Sequence, residues 1–239
     1  MRAGGPMKCP LMASRLTARE VRAAVGKKGN PRCRRRAIRA RHANDLVIPM
    51  LVPAHVGHLA MLRTLIREAS AEGSVTAGLA GESRQAVEFF AKLKLALVHG
   101  YFVEEDPRSG RVESVAVPGY VFWPDDRHSG NPPVGFGLFR ALDGGYELWL
   151  AGLEFGLRGG GQGRALMDAL FGTPHGKKTW VVRIPRGSRY RAAVAHLLKV
   201  HNFEPAGDTK TLRWFLRRDA PQALAMRVRD AIDSRVALS

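Results

Sequence analysis

Between Leu148 and Leu170 the hydrophobic rhythm of the chain changes twice, and that stretch marks the middle of the fold. Leu148-Trp149-Leu150-Ala151-Gly152-Leu153 is an apolar run of strand length. Phe155-Gly156-Leu157 is a short turn, residues 158–163 form a glycine-rich loop, and Ala165, Leu166, Ala169 and Leu170 begin a helical stripe. Upstream, residues 46–53 read as a short edge strand, because Pro49 and Pro53 cannot donate within a sheet interior. The spacing of Leu59, Leu62, Leu65 and Ile66 predicts a helix over 55–69, followed by a small polar loop over 73–81. Ser83 caps a second helix to about His99, with Val87, Phe90, Leu93, Leu97 and Val98 as its expected buried stripe. Residues 101–106 are extended, Pro107-Arg108-Ser109-Gly110 turns the chain, and 114–123 reads as one strand before a polar loop over 124–133. Residues 134–142 and 146–153 form a hairpin around Asp143-Gly144-Gly145. After a breaker at Gly172-Thr173-Pro174, residues 179–184 read as a strand parallel to the earlier one, 190–200 as a helix, and 211–216 as a last strand. Leu224, Val228 and Ile232, four apart, predict a C-terminal helix over 219–239 that packs on the domain or on a second subunit of a homodimer. The class is α/β with a mixed sheet.

Charge changes this picture at one end. The net charge is +17, and residues 1–45 carry thirteen Lys and Arg against Glu20 and Asp45, a net of +11. Gly4, Gly5, Pro6 and Pro10 disfavour regular structure, Thr17-Ala18-Arg19-Glu20 offers one capping box, and Arg32, Arg34, Arg35, Arg36, Arg39 and Arg41 form a basic run. This predicts a disordered basic arm over 1–45, either merely solvated or in contact with nucleic acid through its phosphates. No aromatic residue interleaves with those arginines, which removes the basis for base stacking. Cys9 and Cys33 lack metal-ligand spacing and a disulfide framework, as in a reducing cytoplasm. No apolar run reaches the length of a membrane span, so no membrane partner is expected.

The glycine loop carries the candidate chemistry. Gly159, Gly160, Gly161 and Gly163 strip side chains from one face and allow positive φ. Backbone N–H groups can then converge on an anion at a helix N-terminus, with Arg158 and Arg164 bracketing the loop. Gly163-Arg164-Ala165 replaces the Lys-Ser or Lys-Thr of a nucleotide-triphosphate loop. The glycine spacing also departs from a dinucleotide fingerprint, and no acid follows on the next strand. What fits is Arg158-x-x-Gly161-x-Gly163 with Leu153 five residues ahead, the R/Q-x-x-G-x-G/A loop and preceding strand end of the GNAT N-acetyltransferases. Asn202-Phe203-Glu204 stands where such chains carry a Gly-Phe-Glu-like turn. The chain therefore resembles the GNAT family over residues 46–218, most specifically over 134–205.

The resemblance implies a mostly antiparallel mixed sheet flanked by helices, with splayed parallel strands at an acetyl-CoA site. It implies transfer of acetyl from acetyl-CoA, as co-substrate, to a primary amine by direct attack, without a metal. The acceptor is left open among a small molecule, a protein and an aminoacyl-tRNA. Carried across, Arg158, Gly159, Gly160, Gly161, Gln162 and Gly163 would hold a pyrophosphate through backbone N–H groups, with Arg164 beside them. The backbone of Leu153 would hold the pantetheine, and strand N–H groups would polarise the thioester carbonyl. Glu147, six residues before Leu153, would be the general base, and strict alternation puts Glu147, Trp149, Ala151 and Leu153 on one face. Asp125, Asp126 and His128 are the other base candidates. The family's leaving-group acid is often Tyr at the position of Leu198; Tyr190, His196 and His201 are the nearby substitutes. Two further readings stand beside the enzyme: a catalytically inactive CoA-binding module, and a nucleic-acid-associated protein acting through its arm.

Overall fold

Two prolines place the first strand. In the computed structural model, β1 (Met50–Pro53) lies at the edge of the main sheet, where an unpaired side costs least, and pairs antiparallel with β4 (Gly119–Trp123). The structure describes residues 49–75, 77–105, 110–124, 131–158 and 160–236. The chain divides after residue 46, and every described residue falls in the second unit. The arm over 1–45, its capping box, both cysteines, residues 106–109 and the loop carrying Asp125, Asp126 and His128 lie outside the described residues.

A one-turn 3-10 segment, Val56–His58, leads into α1 (Leu59–Ala71). Two histidines cap this start reciprocally. Gly57 N donates to His55 Nδ1 and His55 N donates to His58 Nδ1, each at 3.1 Å. Helix α2 (Arg84–His99) begins on Ser83, whose hydroxyl accepts from Ala86 N at 3.1 Å, and ends at Gly100 with φ 80°. Its buried face is Ala86, Phe90, Leu93 and Ala96. The expected stripe is corrected at Val87 and Val98, which are 56% and 52% exposed. The two alanines let α2 lie close on Leu62 and Ile66 of α1, which turns both valines outward.

β2 (Tyr101–Glu105) and β3 (Val112–Ala116) form a separate two-stranded sheet. The single strand expected over 114–123 is thus β3 and β4 in different sheets. Val117 N leaves the ladder to bond Gly100 O at 2.8 Å, and Pro118 has no N–H to continue it. β5 (Gly135–Leu142) and β6 (Gly145–Leu153) form the expected hairpin. Then come α3 (Gln162–Gly172), the short α4 (Pro174–Lys177), β7 (Thr179–Pro185), α5 (Arg191–Val200), β8 (Phe203–Asp208), β9 (Leu212–Arg217) and α6 (Gln222–Val236). Asn202 holds φ 65° between α5 and β8, the left-handed turn that Asn tolerates.

The main sheet has seven strands in the order β1-β4-β5-β6-β7-β9-β8. Only β6 and β7 are parallel; the other neighbours are antiparallel. This is the mixed, mostly antiparallel class that the sequence pattern and the resemblance implied. Helices α1 and α2 cover Phe136 and Leu138 on one face, and α3 and α5 cover Phe139, Leu148 and Val182 on the other. α6 packs on the domain itself, with Leu224, Val228 and Ile232 against Val181 and Trp214. Among the described residues no helix is long and apolar enough to cross a membrane.

Candidate active site

The two parallel strands separate. β6 and β7 are in register at Tyr146–Thr179, Glu147–Val181 and Leu148–Val182, and their ladder ends there. β6 stays paired to β5 as far as Leu153, and β7 to β9 as far as Pro185, so neither can close the gap. A cavity of ≈ 560 Å³ fills it, walled by Trp149–Leu153 and Arg183–Pro185 and floored by Leu166, Met167 and Leu197. Glu154 N donates to Val134 O at 2.8 Å. Antiparallel alternation therefore turns the backbone groups of Leu153 and Ala151 away from β5 and into the gap.

The glycine loop opens at one end of this cavity. Gly161 caps α3 with φ 87°, a conformation that glycine adopts without strain. Arg164 and Ala165 donate to Gly161 O at 3.0 and 3.1 Å, so Gln162 and Gly163 hold the first-turn N–H groups without an acceptor inside the helix. A Cβ built on Gly160 or Gly161 meets no atom within 4 Å. Gly159 lies outside the described residues. Arg164 is exposed and faces Asp168 across 3.5 Å.

Arg158 departs from its expected role. Its N–H donates to Phe155 O at 3.2 Å, because the 3-10 turn Phe155–Leu157 has already claimed it. Its guanidinium points inward, donating through Nε and Nη2 to Leu153 O at 3.1 and 3.0 Å. That leaves the N–H of Leu153, rather than its carbonyl, for a ligand. Arg158 Nη1 also bonds Glu72, and Glu72 takes Arg189 Nη2 at 3.2 Å. One carboxylate just past α1 thus ties the glycine loop to the segment before α5. Tyr190 belongs to the same group, with the Arg158 and Arg189 guanidiniums 5.0 and 4.8 Å from its ring centre.

β6 does not keep strict alternation. Leu148 pairs with Phe139 and Leu150 with Leu138, so Trp149 is a bulge residue. Trp149 and Leu150 both pack toward α1 and α2, while Leu148, Ala151 and Leu153 pack toward α3 and α5. The expected single face of Glu147, Trp149, Ala151 and Leu153 is therefore corrected: the bulge puts Glu147 and Trp149 on one side and Ala151 and Leu153 on the other. Glu147 lines the cavity at the point where the strands part. Its carboxylate is held by Arg183, with Nε on Oε1 and Nη2 on Oε2, the latter at 2.8 Å. The Arg183 guanidinium stacks 5.0 Å from the Trp214 ring.

Among the acid candidates, Leu198 is fully buried in the core. His201 faces Asp168 at 3.0 Å and Phe171, His196 is exposed, and only Tyr190 lines the cavity. Arg189 Nη2 donates to Tyr190 Oη at 2.6 Å, which leaves the phenol its own proton to give. Sequence reading missed Glu72 and Arg183. Glu72 carried no local signal, since its partner Arg158 is 86 residues away. Arg183 did, as the one charged side chain inside the run Trp180-Val181-Val182-Arg183-Ile184.

No protein-family model and no curated protein matches the sequence. Several solved structures are similar to it. One is an acetyltransferase from Thermus thermophilus, 15% identical, covering 72% of this chain and 99% of that one, with a TM-score of 0.46. Another is the PaiA N-acetyltransferase from Thermoplasma acidophilum in complex with coenzyme A, at 14% identity, 71% and 98% coverage and TM-score 0.44. A third is a GCN5-related N-acetyltransferase from Kribbella flavida, at 12% identity, 71% and 97% coverage and TM-score 0.46. In fold, the chain is similar to N-acetyltransferases of the GNAT type.

Proposed function

We propose that the chain is an acetyl-CoA-dependent N-acetyltransferase that acetylates a primary amine. The observation that carries this reading is the gap between β6 and β7 opening onto the glycine cap of α3. The residues present fit the co-substrate: open space over Gly160 and Gly161, unclaimed N–H groups on Gln162 and Gly163, and a strand edge with no neighbour. When bound, acetyl-CoA supplies an acyl thioester whose carbon is bonded by the amine nitrogen as the C–S bond breaks and the sulfur leaves as a thiol.

The chain's own groups divide the remaining work. Gln162 and Gly163 direct backbone N–H groups at the pyrophosphate, where the positive end of the α3 dipole adds to them. The Leu153 N–H takes the pantetheine as an added strand would be taken, and strand N–H groups facing the gap polarise the thioester carbonyl. Glu147 accepts the proton of the acceptor ammonium, for which its carboxylate shares or leaves Arg183. Tyr190 Oη gives a proton at the sulfur, the role that Leu198 cannot fill. Tyr190 in the cavity also counts against the inactive-module reading, which had the leucine as its support.

The test has two arms. Acetyl-CoA at about a hundred times its Kd should stabilise the fold by about 2.7 kcal/mol, read as a rise in Tm. Thiol release with pooled amines, peptides and charged tRNA then reads turnover. The reading is overturned if acetyl-CoA raises no Tm and no thiol is released.

A further inference from the structure

The Glu147–Arg183 pair is the only place among the described residues where both charges of an ion pair line the large cavity and pair across its two strands. Its side chains are 4% and 17% exposed. Removing a carboxylate and a guanidinium from water is costly, so a buried pair of this kind is weak evidence of a gain in stability. Its position adds to that. The pair bridges β6 and β7 one step from the last registered residues, on the sheet face opposite α3 and α5. A guanidinium presents two bidentate edges. Glu147 uses the Nε/Nη2 edge of Arg183, and among the described residues Nη1 makes no hydrogen bond. Stacking on Trp214 fixes the plane of the fork. The same cavity holds Ser74, whose buried hydroxyl has no partner among the described residues.

We infer that Arg183 is a carboxylate subsite and that the amine acceptor is amino-acid-like, carrying a carboxylate close to its ammonium group. The acceptor's carboxylate takes the open Nη1/Nη2 edge of Arg183, and its ammonium lies against Glu147. Arg183 then shares its charge between two carboxylates through its two edges, which weakens its hold on Glu147 and leaves that carboxylate readier to take one ammonium proton. An internal pair of one anion and one cation is the complement of such a zwitterion. An amine without the carboxylate leaves Glu147 locked in both its bonds. The inference rests on the acetyltransferase reading and adds the class of acceptor to it.

The test compares each common amino acid with its own α-amide, which keeps the amine and the side chain and removes only the anion. Calorimetry without acetyl-CoA reads binding, and thiol release with acetyl-CoA reads turnover. At least one amino acid should bind, and its kcat/KM should exceed that of its amide by about 10- to 100-fold, the range a charge-assisted pair gives. Arg183→Lys keeps the charge but loses the fork; it should raise KM for the amino acid about tenfold or more and bring the acid-to-amide ratio of kcat/KM toward one. Should that variant fail to fold, the acid–amide contrast in the unaltered protein decides alone. Amides that bind and react as well as the acids, or no amino acid bound at all, overturn the inference. The Tm rise with acetyl-CoA is recorded on the same samples. If the rise is missing, the acetyltransferase reading has failed; if it is present without an acid–amide contrast, the carboxylate subsite alone has failed.

Discussion

Three glycines around the cradle, each replaced by alanine, separate strain from ligand contact. A Cβ on Gly156, Gly160 or Gly161 meets no atom within 4 Å, so none of the three substitutions creates a clash. Only Gly161 holds a positive φ, at 87°. A non-glycine residue there costs about 1–2 kcal/mol, partly offset by about 0.4–1 kcal/mol from the stiffer unfolded chain. Gly161→Ala should therefore lose about 1 kcal/mol net, a fall of about 2–4 °C in Tm for a domain of this size. Gly156→Ala and Gly160→Ala should be neutral or slightly stabilising. Acetyl-CoA affinity sorts the three differently. A methyl group on Gly160 or Gly161 projects into the space assigned to the pyrophosphate, and each should weaken binding at least about tenfold, or ~1.4 kcal/mol. Gly156→Ala should bind as the parent does. Gly160→Ala is the decisive variant, because its stability is intact while its affinity falls. Urea unfolding gives the first quantity and calorimetry with acetyl-CoA the second. Normal affinity in Gly160→Ala, together with an unchanged Tm in Gly161→Ala, would refute both the strain argument and the placing of the cradle.

Other outcomes follow from packing and charge. A Cβ on Gly137 would stand 2.4 Å from Leu170 Cδ2, so Gly137→Ala should cost about 1–3 kcal/mol by overpacking, and an unchanged urea midpoint would show that α3 can shift. His58, His175 and His201 all have pKa values held below 6.5, chiefly by burial, helped at His58 by His55 and at His175 by Lys178, and at His201 against the pull of Asp168. The unfolded chain then takes up these protons first, so their contribution is complete above pH 6.5 and declines as pH falls through the lower folded values. Tm measured at pH 5 should lie below that at pH 7.5, and a flat or rising Tm on acidification would contradict this. Glu72→Gln frees Arg158 and Arg189 from their shared carboxylate; acetyl-CoA affinity at low salt should rise while stability falls by up to about 3 kcal/mol, because Glu72 and Arg158 are both largely buried. A fall in affinity would show that Glu72 orders the loop more than it competes with the ligand.

Periodicity made most of the fold legible. The hairpin around Gly144, the parallel strand Thr179–Pro185, the left-handed turn at Asn202 and the stripe Leu224–Val228–Ile232 follow from local residue choice, and the structure holds each of them. What stayed hidden depends on partners distant in sequence. Which face α2 buries was decided by the approach of α1, and alanines rather than the larger Val87 and Val98 made that approach. The bulge at Trp149 has no signature of its own within an all-apolar run, since period two cannot be counted where every position is apolar. In the site, the glycine cap was legible because positive φ selects glycine. The inward turn of Arg158 was not, because Glu72 is far along the chain.

The bulge reverses, part-way along β6, which of its residues face which layer of helices. Up to Leu148 its residues obey one pairing of inside and outside, and from Ala151 onward they obey the opposite one. Exchange of one apolar residue for another of like size disturbs only local packing. Loss of Trp149 would restore regular alternation and leave Leu148, Leu150, Ala151 and Leu153 on their present sides. The cavity wall would then keep its side chains but lose the bend and extra twist that the bulge gives β6 beside the point where it parts from β7. At this strand, then, chain length is a stricter requirement than composition, and a one-residue deletion should narrow the gap to β7 before it unfolds the protein.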